Sequence, residues 1–136
     1  MRRFLDSGVL LAAWRGQPPL GFAARALLDG DDDFLSSESV QLELLPKPTY
    51  EKRRSEIHFY NEFFAAAGNI EPFSNELGKA AMELARKYGL SSIDALNVSS
   101  AIRQGAAEFI TSESPGKPLF RVKELRVLSL YDLSPD

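Results

Sequence analysis

The chain contains no cysteine. That absence excludes disulfides and thiolate metal sites, and it fits a reducing compartment. Histidine is nearly as scarce: His58 stands alone, without a second ligand at useful spacing, and reads as a surface or interface residue. No apolar run approaches membrane-spanning length. Internal repeats, low-complexity segments and a glycine-rich phosphate loop are all missing. Basic charge is not in excess either. The net charge is -3 and the pI about 5.2, whereas general nucleic-acid binders are usually basic. The acidic balance says less about an enzyme that meets phosphates through bound cations, because the cations bring local positive charge. Met1-Arg2-Arg3 looks like the basic end of a signal peptide. Asp6 interrupts the apolar run behind it, and Arg15 and Pro18-Pro19 follow soon after. Export is therefore not expected, and a cytoplasmic location is.

The 136 residues, 44% hydrophobic and 26% charged, match one soluble domain with a core large enough to fold alone. Short apolar runs alternate with helical periods. Phe4-Leu5, Phe34-Leu35, Ile70 to Phe73, Ala107 to Thr111 and Leu125 to Leu130 read as strands. A helix is expected to begin at Leu11, and another covers Gly21 to Leu28 with Phe22, Ala26 and Leu28 on one side. Ser36 or Ser37 caps a helix from Glu38 to Leu45, which Pro46 stops. Tyr50 to Ala67 is the longest helical stretch. Ile57, Tyr60 and Phe64 line one of its faces while Phe59 and Phe63 point elsewhere, an excess that points to a partner helix in a homodimer. The run Lys52-Arg53-Arg54 at its start reads as a solvated face, and the acidic turn from Asp29 to Asp33 as a solvated loop. Ser74 or Asn75 caps Glu76 to Tyr88, and Gly89 stops it. Ser91 or Ser92 starts Ser92 to Gln104. Leu119-Phe120 forms a short helical turn, and 134–136 is a frayed tail. Strands alternating with helices predict a three-layer α/β/α domain with a mainly parallel, short-stranded sheet.

Four acidic residues stand out. Asp6 lies inside an apolar run, where a bare carboxylate is expensive unless paired. It either caps the next helix or is held there for chemistry. Glu43 shares a face with Val40 and Leu44 and so falls on the side expected to be buried. Asp94 heads the stripe Val98, Ala101 and Ile102; its bland reading is the acidic member of a capping box with Ser91. Glu113 follows the fourth strand in a polar loop. In α/β folds functional groups collect beyond the C-terminal ends of the strands. Clustered carboxylates repel each other and need a compensating cation or trapped protons. Oxygen-only ligands without His or Cys favour Mg²⁺ or Mn²⁺ over zinc. The chemistry of such a site is attack of an activated water on a phosphodiester.

The ordered set Phe4-Leu5-Asp6-Ser7 with Val9-Leu10-Leu11, Ser36-Ser37 with Leu42-Glu43-Leu44, Tyr88-Gly89-Leu90 with Ile93-Asp94-Ala95-Leu96 and Ala101, and Phe109-Ile110-Thr111-Ser112-Glu113 resembles the PIN-domain family, of the VapC-like toxin type. The resemblance covers nearly the whole chain, as a single PIN-like domain over 1–133. It implies an Mg²⁺- or Mn²⁺-dependent endoribonuclease, often dimeric and often paired with an antitoxin. Asp6, Glu43 and Asp94 match the family's metal-binding and catalytic acids; Ser7 and Thr111 are expected to support the site. Glu113 falls where the family usually has Asp, and Gly8 where many members have Asn. Those two departures leave a second reading open, a catalytically weakened module acting through dimerisation or protein binding. A phosphate-accepting receiver domain fits worse. Asp6 has no acidic neighbour, and Lys117 sits in a loop beside two prolines.

Overall fold

The computed structural model describes residues 1–133; the tail expected at 134–136 lies outside the described residues. The sheet has five strands, β1 (Arg2–Leu5), β2 (Asp33–Ser37), β3 (Asn69–Glu71), β4 (Glu108–Thr111) and β5 (Arg126–Ser129), in the order β3-β2-β1-β4-β5. All four pairings are parallel. Parallel sheets are covered on both faces, which explains why Phe4-Leu5 and Phe109-Ile110 are continuous apolar pairs with no exposed surface. Phe4 pairs with Phe109 in register, and their rings stack at 5.5 Å.

Among the described residues eight helices cover the sheet: α1 (Ser7–Arg15), α2 (Leu20–Leu28), α3 (Glu38–Leu44), α4 (Pro46–Tyr50), α5 (Arg54–Ala66), α6 (Asn75–Tyr88), α7 (Ser92–Arg103) and α8 (Leu130–Leu133), with a 3₁₀ turn at Pro118–Arg121. The result is the expected α/β/α arrangement. None of the described helices is long and apolar enough to cross a membrane. From β1 the chain builds outward through β2 and β3, then returns to add β4 and β5 on the other side. The crevice between the ends of β1 and β4 is thus the point where strand order reverses, the usual ligand position in open α/β sheets.

Several local expectations change. α1 starts at Ser7 rather than Leu11, because Asp6 caps it by accepting from the Gly8 backbone N–H at 2.7 Å. In α2 the buried side is Gly21, Ala23, Ala24 and Leu27, and Phe22 is exposed. A Cβ on Gly21 would lie 2.5 Å from the backbone carbon of Gly16, so only the small-residue side fits against α1. Pro46 ends α3 but also opens α4 at its first turn, where its missing N–H is no loss. The long helix expected from Tyr50 is broken after α4, where Lys52 takes a positive φ of 59°. In α5 both aromatic faces are absorbed within the chain: Phe59 packs against Trp14 and Phe63 against Phe34. The helix therefore no longer argues for a partner.

The acidic turn is not simply solvated. Asp32 accepts from Arg3 at 2.8 Å, and the same guanidinium donates at 2.8 Å to Glu108, which Arg126 approaches from the other side at 3.2 Å. Glu108 is 3% exposed. This network pins the N-terminal end of the β1–β4 pair, opposite the end where the acidic residues gather.

Candidate active site

Asp6 follows β1, and its backbone N–H continues the ladder to the Ile110 carbonyl at 3.0 Å. Both readings of this residue hold at once. One carboxylate oxygen caps α1; the other accepts from the Thr111 hydroxyl at 2.8 Å. Ser7 Oγ lies 3.5 Å from the capping oxygen. Burial pushes the Asp6 carboxyl up from its ordinary range, and the charge of Asp94 adds to this. The Gly8, Thr111 and Ser7 hydrogen bonds oppose it.

Glu43 sits on α3 beyond β2. Its side chain is exposed rather than buried as the periodicity predicted. A seven-residue helix at the sheet's end turns this position to the rim, and only the carboxyl tip is crowded. Desolvation of that tip raises its pKa, with smaller contributions from Asp6 and Asp94, against the Asn97 amide and the Ser7 hydroxyl. Asn97 Nδ2 donates to Glu43 Oε1 at 2.8 Å.

Asp94 lies in the first turn of α7. Ser91 Oγ accepts from its backbone N–H at 3.4 Å, so the cap reading also holds. The carboxyl is half-buried and raised by desolvation, with a Ser91 hydrogen bond opposing. Glu113 is not a free loop residue. Its N–H donates to Thr111 Oγ1 at 3.1 Å, and its carbonyl accepts from Ser129 Oγ at 2.6 Å. Its carboxyl is raised by burial, then by Asp94 and Asp6, with Lys117 opposing.

The four carboxyls thus come from four separate segments and lie within electrostatic range of one another, at the C-terminal end of the sheet. They are not tightly gathered: among the described residues, no three Asp, Glu, His or Cys side chains form a group poised to hold a metal ion. The donor set is nonetheless that of a hard cation, all oxygen, with every member pushed toward its neutral form by burial and with Asp6, Glu43 and Glu113 pushed further by neighbouring carboxylates. His58 is remote from it, exposed on α5 and paired with Glu62 at 3.0 Å.

Sequence reasoning missed Asn97 and Ser112. Asn97 is a polar residue three positions after Asp94 on a helix face that is otherwise core, and that placement was the available signal. Ser112 shows only in three dimensions. A Cβ built on Gly8 would lie 2.0 Å from Ser112 Oγ, so the hydroxyl fills the space a side chain at position 8 would need.

The sequence matches the PIN domain model over residues 3–114. No curated protein matches it. Among solved structures, VapBC2 from Rickettsia felis bound to a DNA fragment from its promoter superposes with a TM-score of 0.72 at 21% identity, covering 95% of this chain and 98% of the other. FitAcB from Neisseria gonorrhoeae gives 0.72 at 18% identity, with the same 95% and 98% coverage. A toxin-antitoxin complex from Klebsiella pneumoniae gives 0.67 at 17% identity, covering 91% and 98%.

Proposed function

The chain belongs to the PIN domain family, and from that premise we propose that it is a metal-dependent endoribonuclease, the toxin of a toxin-antitoxin pair. The observation that carries this reading is the approach of Asp6, Glu43, Asp94 and Glu113 at the strand-order reversal, where burial raises all four carboxyls and the charges of Asp6 and Asp94 add to the shifts of Glu43 and Glu113. Asp6, Glu43 and Asp94 would hold Mg²⁺ or Mn²⁺, with Glu113 assisting. A bound divalent cation supplies charge stabilisation at the phosphodiester and makes water a competent nucleophile. Thr111 and the Gly8 N–H fix the two Asp6 oxygens, so this carboxylate keeps one orientation. The Ser7 hydroxyl lies within reach of both Asp6 and Glu43, and its single proton can serve either carboxylate. Glu113, held by the Thr111 and Ser129 contacts, orients the incoming water or accepts its proton.

An antitoxin partner is proposed from the fold shared with the Klebsiella pneumoniae toxin-antitoxin complex. A homodimer is proposed because Leu42, Tyr50, Phe73 and Met82 are large apolar side chains left exposed; sedimentation velocity checks it. Incubation of the purified protein with RNA and Mg²⁺ or Mn²⁺ tests the central reading. Cleavage is expected, abolished by EDTA and by the Asp6→Asn/Asp94→Asn double variant. Undiminished cleavage by that variant overturns it.

Glu113 and Gly8, which depart from the residues usual in the family, favour a second reading, a PIN module that acts by binding and not by catalysis. Calorimetric titration with Mn²⁺ separates the two: absence of binding at millimolar metal supports the binding module.

A further inference from the structure

A buried run of side-chain hydrogen bonds ends on Glu43. Ser37 caps α3 by accepting from the Val40 N–H at 3.3 Å. The Ser37 and Ser39 hydroxyls lie 2.6 Å apart. Ser39 donates to Asn97 Oδ1 at 2.5 Å, and Asn97 Nδ2 donates to Glu43 Oε1 at 2.8 Å.

Counting protons fixes the direction. Each hydroxyl has one proton to give. Ser39 gives its proton to Asn97, so it must accept from Ser37. Ser37 is thereby the donor to Ser39 and the acceptor from Val40. Every link runs the same way, from the α3 backbone to Glu43. The amide orientation of Asn97 follows from its surroundings. With Glu43 ionised, as a metal ligand must be, the turned amide would set a carbonyl oxygen against a carboxylate oxygen, two acceptors with no proton between them. Ser37, Ser39 and Asn97 are at most 2% exposed, so bulk water does not replace a lost link.

The topology gives this run a purpose. Asp94 and Asn97 are three residues apart on α7 and share a face. The helix that carries one acid of the site directly therefore carries the group that holds another. Glu43 is a long, exposed side chain on the short helix α3, and the buried Asn97 amide donates to its carboxylate.

We propose that Asn97 is a positioning residue that holds the Glu43 carboxylate toward the site, and that Ser39 and Ser37 lock the Asn97 amide for that task. The proposal deepens the metal-dependent reading and rests on it for the role of Glu43. Loss of a group that orients a metal ligand typically lowers metal affinity 10–100-fold.

The test is Mn²⁺ calorimetry on wild type, Asn97→Leu, Ser39→Ala, Ser39→Thr, Glu43→Gln and the Ser39→Ala/Glu43→Gln double variant, with melting curves to confirm folding. Asn97→Leu is expected to bind roughly tenfold or more weakly. Ser39→Ala should lose part of that and Ser39→Thr should recover it. In the Glu43→Gln background Ser39→Ala should add nothing. Wild-type affinity in Asn97→Leu, or an equal Ser39→Ala loss in the Glu43→Gln background, overturns the proposal. Should Asn97→Leu fail to fold, the Ser39 pair decides alone.

A metal-free readout keeps this separate from the function itself. The side-chain amide protons of Asn97, followed by NMR, should be protected from exchange in wild type and released in Ser39→Ala. Wild-type protein that binds no Mn²⁺ but protects this amide defeats the metal reading and leaves the positioning run standing. An unprotected amide in wild type defeats the positioning run itself.

Discussion

Thr111 and Asp6 are 105 residues apart in sequence and joined by a hydrogen bond of 2.8 Å, the hydroxyl donating to Asp6 Oδ2. The bond closes β1 to β4 just where the ladder ends, and it occupies the carboxylate oxygen that does not cap α1.

That geometry leads to a divergence between stability and activity. Asp6 stands above the ordinary carboxylate range because it is buried, so the metal-free fold prefers its neutral form. Stability tied to that preference is present at low pH and is lost as pH rises through the raised value. Asp6→Asn imitates the neutral form and keeps an oxygen for the Gly8 N–H. The metal-free variant should therefore unfold at higher urea than wild type at pH 7, with the gap closing as pH falls, while cleavage is lost. Equal midpoints at pH 7 would contradict this. Added Mn²⁺ should stabilise wild type alone, by about 2.7 kcal/mol at a hundredfold excess over Kd.

Proton release on metal binding should follow from the same shifts. Asp6, Glu43, Asp94 and Glu113 all stand above their ordinary values, so as pH falls the set takes up protons earlier than free carboxylates do. A cation displaces those protons. Calorimetric enthalpies measured in buffers of different ionisation heat should differ at acid pH and converge as pH rises. Buffer-independent enthalpies at the lower pH argue against cation binding by this set.

Gly8 and Ser112 should behave as a coupled pair. A Cβ at position 8 meets Ser112 Oγ at 2.0 Å and Ser112 Cβ at 3.1 Å. Gly8→Ala should destabilise by about 1–3 kcal/mol, as overpacking does, despite the better helix propensity of Ala. In a Ser112→Gly background the same change should be close to neutral. Additive effects in a urea double-mutant cycle would show that the clash is relieved elsewhere.

The far end of the sheet offers a control. Glu108 accepts from Arg3 at 2.8 Å and Arg126 at 3.2 Å while almost fully buried. Glu108→Gln should cost roughly 2 kcal/mol, the scale of a hydrogen bond to a charged group, and leave the cleavage rate per folded molecule within twofold of wild type. Urea unfolding and single-turnover cleavage on the same preparation check both halves.

The layers of this fold were legible in the sequence because period is local. Phe4-Leu5 and Phe109-Ile110 are continuous apolar pairs, and Leu77, Ala81 and Leu84 recur at helical spacing. Asp6 was legible for the opposite reason, as a charge the pattern did not want. What escaped depends on contacts between distant segments. Phe22 reads as core until the close approach of Gly21 to Gly16 claims that side of α2. Glu43 reads as buried until the shortness of α3 puts it at the rim. Tyr50 to Ala67 reads as one helix, and only the Lys52 backbone divides it. Asp32 reads as solvated because Arg3 and Glu108, its partners in the network, come from other strands.

The site is borne by two kinds of support. Asp6, Thr111 and Glu113 hang on adjacent strands whose offset is clamped at one end by Arg3 with Glu108 and at the other by Thr111 with Asp6. Sliding either strand would break both clamps together, so this half behaves as a fixed jaw. Glu43 and Asp94 ride on α3 and α7, which Asn97 fastens to each other. They form a second jaw, tied together by that hydrogen bond. The gap between the jaws is then set by how helices pack on strands, and core substitutions far from any carboxylate, such as at Val40 or Val98, become the natural means of adjusting it.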